Sequence, residues 1–380
     1  MTNEEWTHRI LEHRIAISDT IAFTDAEAPN SCFSPDRGIM YTAYMASRRN
    51  YGESGDIVAL GITPLCQPHR SRSIIVAERG VTPCVKDARK LMNSNCFYYE
   101  TDEILYTAKT HFGQTGEIKR GYVRILFCAN GDDYFYTDYD ILSDSFGEIK
   151  PLLVQYNDKI QHFTGAVFRA YLESLGYQDF NKEETGETLI LSDKFRLHSD
   201  GYRYTMATAA WAWPTTMRMK DGSDVMEFVG TLQQSAQYEA QSAIVNDKMY
   251  VVLRGSKTDD FFISDNIGKS FRPIGRIDFN TTRPQLCPYK DKVLVAVSKK
   301  GILPNKVRDG RNNILLLCGE GDNLVDYKQV FHVKDQLGIV YYDLQDYKET
   351  LFMIWSSGDL YVDKNSQAKD LLWFVRLGEI

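Results

Sequence analysis

One phrase recurs through the chain: a polar segment, a turn built on Asp or Asn, then a strongly apolar strand. It reads Ser34-Pro-Asp-Arg-Gly-Ile-Met-Tyr41, Tyr99-Glu-Thr-Asp-Glu-Ile-Leu-Tyr106 and Ser199-Asp-Gly-Tyr-Arg-Tyr204. It returns as Val245-Asn-Asp-Lys-Met-Tyr-Val251, Tyr289-Lys-Asp-Lys-Val-Leu-Val295 and Gln345-Asp-Tyr-Lys-Glu-Thr-Leu-Phe352. Six copies over about 310 residues give units of roughly 50 to 65 residues with insertions, a period typical of repeat architectures. Between the copies lie more short apolar runs, such as Gly121 to Cys128, Lys292 to Ser298 and Asn313 to Cys318, bounded by Asp, Asn and Gly turns. The 23 Tyr and 19 Phe suit strands packed sheet on sheet. All-β text at this period predicts a six-bladed β-propeller with four strands per blade. A stacked pair of β-sandwiches is the alternative.

Two segments break the β pattern. Residues 1–18 read as a helical lead-in, with Trp6, Ile10, Leu11 and Ile15 near one face. Phe163 to Gly176 reads as an amphipathic helix with Val167, Tyr171, Leu172 and Leu175 on one face and Gly176 just past its C-terminus. With the polar loop that follows, it forms an insertion over about 160–187. The propeller then spans 19–380. The insertion helix either plugs one end of the propeller or walls a pocket.

Composition excludes several classes. A net charge of −7 opposes nucleic-acid binding, which needs a basic face to displace counterions from phosphate. No apolar run approaches the ~20 residues of a membrane span, so no membrane partner is expected. The N-terminus carries Glu4, Glu5, Arg9, Glu12 and Arg14 and lacks the continuous apolar stretch of a secretory signal. The seven cysteines are irregularly spaced, without a C-x-x-C, as befits reduced thiols in a cytoplasmic protein. The seven histidines form no ligand motif, so neither a metal nor another cofactor is expected; calcium held by loop oxygens stays open.

One short motif carries more. Ser264-Asp-Asn-Ile-Gly-Lys-Ser-Phe271 is a compact turn in which Asn266 can bond backbone amides and Gly268 can take positive φ. It resembles the Asp-box of the sialidase superfamily, with Asn for the usual Asp; Lys220 to Ser223 and Gly319 to Asp322 look like decayed copies. Downstream phrases strengthen the likeness. Glu239 precedes a strand ending at Arg254, Arg311 opens Arg-Asn-Asn-Ile-Leu-Leu-Leu317, and Tyr341-Tyr-Asp-Leu344 follows 30 residues after Arg311. These resemble the Glu, second Arg, third Arg and Tyr phrases of sialidases, in that order. The chain is thus similar to a divergent member of that superfamily over most of 20–380.

The resemblance implies a retaining exo-glycosidase cleaving a terminal acidic sugar, sialic acid in the simplest case, from an oligosaccharide or glycoconjugate. Tyr341 would be the nucleophile and Glu239 its base, since sialidases are the Tyr-nucleophile exception among glycosidases. A neutral phenol approaches a substrate that already carries a carboxylate more easily than a second carboxylate would. Arg254 and Arg311 would clamp the substrate carboxylate through charge-assisted hydrogen bonds. The acid/base would be Asp56, with Glu53 as second choice. The Y/F-R-I-P phrase that carries the family's first Arg is missing, and Glu27 in Asp25-Ala-Glu-Ala-Pro29 sits near its place. Arg48 and Arg49 follow the first strong strand and are the substitutes for lining the pocket. Trp211 and Trp213 suit either sugar stacking or core packing. Two rivals follow: a related hydrolase or lyase acting on another glycan, and a non-catalytic propeller that binds glycan or protein.

Overall fold

The computed structural model describes residues 1–19, 23, 25–48, 55–106, 117–177, 189–191, 193–209, 213–234, 239–255, 257–278, 281–299, 311–320, 323–335, 338–357 and 371–380. Among these residues six β-sheets follow one another along the chain. The first is Asp25–Ser34, Ile39–Ser47, Ile57–Pro64 and Arg72–Glu78, in that spatial order. The fourth is Ala240–Val245, Lys248–Arg254, Asp259–Ser264 and Arg272–Ile277. The fifth is Thr281–Tyr289, Lys292–Lys299, Asn313–Glu320 and Asn323–Lys334. In the second, Leu91–Tyr106, Glu117–Ala129 and Asp133–Asp140 carry two short edge strands. In the third, Tyr202–Ala209, Thr215–Lys220 and Val225–Thr231 are extended outward by Leu153–Tyr156, which runs parallel to Val225–Thr231.

The repeated phrase has a physical meaning. Five of its copies form the turn from the first to the second strand of a sheet. At Asn246 and Asp247 both φ values are positive, as are those at Lys348 and Glu349. Such turns match the right-handed twist of the flanking strands. The copy at Tyr99 to Tyr106 is the exception: it lies inside the long strand Leu91–Tyr106.

Residues 1–18 are not helical throughout. Helix α1 spans Asn3–Glu12 and buries Trp6 and Ile10, capped by Thr2 and Glu5 in a reciprocal box. Ile15–Ala16 is a strand that pairs with Leu372–Gly378, so the N-terminal segment completes the last sheet beside Tyr341–Tyr347 and Thr350–Ser356. Helix α2 spans Gly165–Ser174 and buries Phe168 and Leu172, while Gly176 takes φ +86°. Leu175, expected on the apolar face, is 48% exposed, because the helix ends before it. Tyr171 stacks on Phe228 at 3.8 Å, which seats the helix on the outer part of the third sheet.

The first strands of the sheets pack together. Asp25–Ser34 touches both Leu91–Tyr106 and Tyr341–Tyr347, and Thr281–Tyr289 touches both Ala240–Val245 and Tyr341–Tyr347. In the third sheet this inner place is taken by the segment from Leu189 to Leu197, two short strands on the inner edge of Tyr202–Ala209. Where the inner strands meet, polar groups are buried and interlocked. Lys194 Nζ lies 2.5 Å from Asp343, both nearly inaccessible, and also donates to the Ser31 carbonyl at 3.1 Å. Asp343 further accepts from the Ser31 amide and from Gln285, both at 2.7 Å. Asn95 donates to the Asp193 carbonyl at 2.5 Å, and Ser242 donates to the Asp193 carboxylate. All six sheets thus contribute to one central network.

Among the described residues no helix is long and apolar enough to cross a membrane, and none of the seven cysteines is in a disulfide. Removing one member of the central ion pair leaves a buried charge unpaired, at a cost of about 3–5 kcal/mol. Lys194→Met is therefore expected to lower the unfolding free energy by that amount in urea denaturation. The double variant Lys194→Met/Asp343→Asn, whose amide oxygen can still accept from Ser31 or Gln285, should lose less than the sum of the two single variants; strictly additive losses would show that the pair does not interact.

Candidate functional site

Neighbouring sheets point their inner strands the same way. The Leu91 amide bonds the Gly55 carbonyl at 2.7 Å, and the Leu189 amide bonds that of Gly131 at 2.7 Å. Thr281 Oγ1 donates to Asp259, and Arg311 sits over Tyr341. Each contact joins the start of one inner strand to the matching end of the sheet before it. At the other end His198 lies 3.1 Å from Asp247, and Tyr347 Oη donates to the Pro35 carbonyl at 2.8 Å. One mouth therefore collects every inner-strand start, every second-strand end and every third-strand start.

The described candidate residues all fall at this mouth. Glu239 immediately precedes Ala240–Val245, and Arg254 ends the paired strand. The hairpin register bonds the Arg254 amide to the Glu239 carbonyl at 3.0 Å, and the side chains pair at 2.7 Å, Arg254 Nη1 to Glu239 Oε2. Arg311 is buried just before Asn313–Glu320, and its guanidinium lies 5.0 Å from the centre of the Tyr341 ring, within cation–π range. Its carbonyl accepts from the Ile339 amide at 2.9 Å, which ties the fifth sheet to the segment entering the sixth. Tyr341 is the first residue of its strand, whereas Tyr342 is buried in the core between sheets and donates to the Ala296 carbonyl at 3.3 Å. Alternation along the strand sends the two rings to opposite faces.

The first sheet contributes differently. Asp25 and Glu27 are both buried and lie two residues apart, on one face. After Glu27 the register shifts before Asn30, with Ala28 at φ +54°. This bulge accommodates Pro29, which has no N–H for the ladder. Arg48, expected to line the pocket, has a side chain 53% exposed and lies 3.3 Å from Glu78. Asp56 pairs with Arg79 and accepts from Ser47 at 3.4 Å. Glu53, Arg49 and Trp211 lie outside the described residues. Trp213 is half-buried against Tyr177, ring centres 4.5 Å apart.

Two features of the mouth are not apparent from sequence. Asp259 is fully buried opposite Arg254 and accepts from the Gly255 amide at 3.3 Å as well as from Thr281. Burial pushes its carboxyl up to about 6, and Arg254 pulls against that. In the sequence it is only one more acidic residue after the Arg254 strand, and nothing there marks it as buried. Asp25 beside Glu27 is the second, a pair of carboxylates that alternation puts on one face once the strand Asp25–Ser34 is known. The mouth thus sets Arg254 and Arg311 among Asp25, Glu27, Glu239 and Asp259, an arrangement able to hold hydroxyls and an anionic group together. Among the described residues no group of three or more His, Cys, Asp or Glu is placed to hold a metal ion.

The turn Ser264 to Phe271 joins the two outer strands of the fourth sheet. Ser264 Oγ accepts from the Gly268 amide at 2.7 Å, and Asn266 Oδ1 accepts from the Ser270 amide at 3.0 Å. Gly268, at φ +82°, lies so close to the third sheet that a Cβ would collide with the Thr216 side chain.

No protein-family model matches the chain, and no curated protein matches it. Solved structures do. A sialidase from Trypanosoma rangeli, in complex with sialic acid, is similar over 96% of this chain and 57% of its own, with TM-score 0.54 and 11% identity. A Hadza microbial sialidase is similar over 94% of this chain and 66% of its own, with TM-score 0.59 and 10% identity. A protein of unknown function from Dyadobacter fermentans is similar over 96% and 97%, with TM-score 0.55 and 9% identity. The fold is sialidase-like, in a strongly divergent sequence. The chain spans just over half the length of the trypanosomal sialidase and just under two thirds of the microbial one.

The buried carboxyl of Asp259 predicts a pH effect. Its folded value of about 6 lies above the ordinary 3.8, so the folded state holds a proton that the unfolded chain has lost. Its contribution is complete below about pH 4 and disappears as pH rises through about 6. Asp259→Asn should reduce the fall in stability between pH 4 and 7 by on the order of 2 kcal/mol. Denaturation curves at both pH values check this; an unchanged difference would mean that Asp259 titrates normally.

Proposed function

We propose that this protein is a six-bladed propeller glycosidase of the sialidase type, a retaining exo-enzyme acting on a terminal acidic sugar of an oligosaccharide or glycoconjugate. What supports the reading most is a pair of contacts at strand ends on one side of three successive sheets: Glu239 pairs with Arg254 at 2.7 Å, and the Arg311 guanidinium lies 5.0 Å from the Tyr341 ring centre. The sialidase-like fold and the turn at Ser264 to Phe271, read as a divergent Asp-box, support it.

In this mechanism Arg254 and Arg311 hold the sugar carboxylate. Glu239, already 2.7 Å from Arg254, takes the phenol proton as Tyr341 Oη attacks the anomeric carbon. The C–O bond to the leaving group breaks, and Asp56 supplies its proton once released from Arg79. Asp56, now ionised, takes the proton of a water that attacks the same carbon; the tyrosyl C–O bond breaks with its electron pair returning to Oη, and Glu239 gives its proton back to that oxygen. Charge-assisted contacts of this kind are worth about 1.5–3 kcal/mol each, so two arginines suffice for moderate affinity.

A second reading is favoured by Glu27 and by the Asp56–Arg79 ion pair. A carboxylate in place of an arginine weakens the grip on an acidic sugar, and a paired Asp56 is a poor general acid. Both suit a mouth that binds glycan without cleaving it. Turnover of 4-methylumbelliferyl glycosides, the sialoside included, separates the readings. The enzyme reading predicts sialoside hydrolysis that falls on the order of a thousandfold in Tyr341→Phe with sialic acid affinity little changed. Glycan binding without turnover of any glycoside would establish the second reading.

A further inference from the structure

The axis has a second end, where the inner strands run out, and it holds a cavity of about 230 Å³ lined by Arg196, Cys287, Pro288, Lys290, Gln345 and Asp346. Arg196 is fixed there: Nε donates to the Ser242 carbonyl at 3.1 Å and Nη2 to that of Leu286 at 2.7 Å. Among the described residues its third nitrogen, Nη1, makes no hydrogen bond. Lys290 Nζ stands 3.6 Å from both Glu349 and Glu379, carboxylates that are largely exposed. Asp346 Oδ1 is buried and, among the described residues, has no hydrogen-bond partner. Such an orphaned acceptor is unfavourable unless something fills it. Burial raises the Asp346 carboxyl above its ordinary range, with Glu349 adding to the rise. Cys287 and Pro288 supply an apolar wall.

We propose that this cavity binds a small α-amino acid as its zwitterion. The carboxylate is received by Arg196 Nη1 and Lys290, the ammonium by Asp346 Oδ1. A simple anion leaves the Asp346 oxygen unfilled, and a simple cation faces two positive side chains. A molecule carrying both charges a few bonds apart satisfies all three groups. The volume, below the usual range for drug-sized ligands, limits the side chain to a few heavy atoms. This site shares no residue with the mouth and stands or falls independently of the glycosidase reading.

The test titrates the full chain with L-alanine, and with propionate and ethylamine as half-ligands, by saturation-transfer NMR and calorimetry. L-Alanine should bind saturably, with each half-ligand at least about tenfold weaker, or ~1.4 kcal/mol. Asp346→Asn should weaken L-alanine about tenfold and leave propionate unchanged. Asp346 also accepts the Glu349 amide in its own hairpin, so Lys290→Gln serves as a second variant and should weaken both L-alanine and propionate. Absence of saturable L-alanine binding, equal binding of propionate and L-alanine, or L-alanine affinity untouched by either variant would overturn the proposal.

Discussion

The buried ion pair between Lys194 and Asp343 is the contact on which the rest of the molecule depends. Six sheets converge on one line, and their inner strands have no further strand beyond them. Polar groups on that side must be satisfied by one another. Asp343 collects Lys194, the Ser31 amide and Gln285; Asp193 collects Ser242, and its carbonyl takes Asn95 and Thr205. These bonds join sheets far apart in sequence, and each fixes the height of one strand against another. With the heights fixed, Glu239 and Tyr341, three and two residues before Ser242 and Asp343, emerge at one mouth. The site therefore inherits its geometry from the axis.

Much of this was legible. Hairpin turns leave strong signals because left-handed backbone restricts the residues that fit, and five copies of the repeated phrase fall on the first turn of a sheet. The second sheet escaped, since Leu91–Tyr106 runs straight through the phrase at Tyr99. The strand Ile15–Ala16 escaped for another reason: two residues carry no periodicity, and its partner Leu372–Gly378 lies at the opposite end of the sequence. The inner segment of the third sheet is also unreadable as a strand, because Asp193 and Lys194 look like loop residues until the axis places them. At the mouth, residues on strongly patterned strands, Arg254 and Tyr341, could be placed by their phrases. Asp259 could not, because its burial and its contact with Thr281 arise only where the fourth and fifth sheets meet.

The mouth is mixed in charge. Arg254 and Arg311 are accompanied by Asp25, Glu27, Glu239 and Asp259, several of them buried. Close opposite charges favour ionised carboxylates, while burial and like neighbours oppose them. The balance at Asp259 falls on the side of burial. A surface so rich in acceptors suits hydroxyl groups as well as it suits an anion.

Covalent trapping at the mouth is the sharpest test of Tyr341 as the nucleophile. Incubation with 2,3-difluorosialic acid, followed by proteolysis and mass spectrometry, reads the nucleophile without depending on steady-state rates. One sugar adduct is expected, on the peptide carrying Tyr341 and at its phenol oxygen. An adduct on another residue would contradict the assignment of the nucleophile. No adduct, from a protein that still binds sialic acid saturably, would contradict catalysis at this mouth.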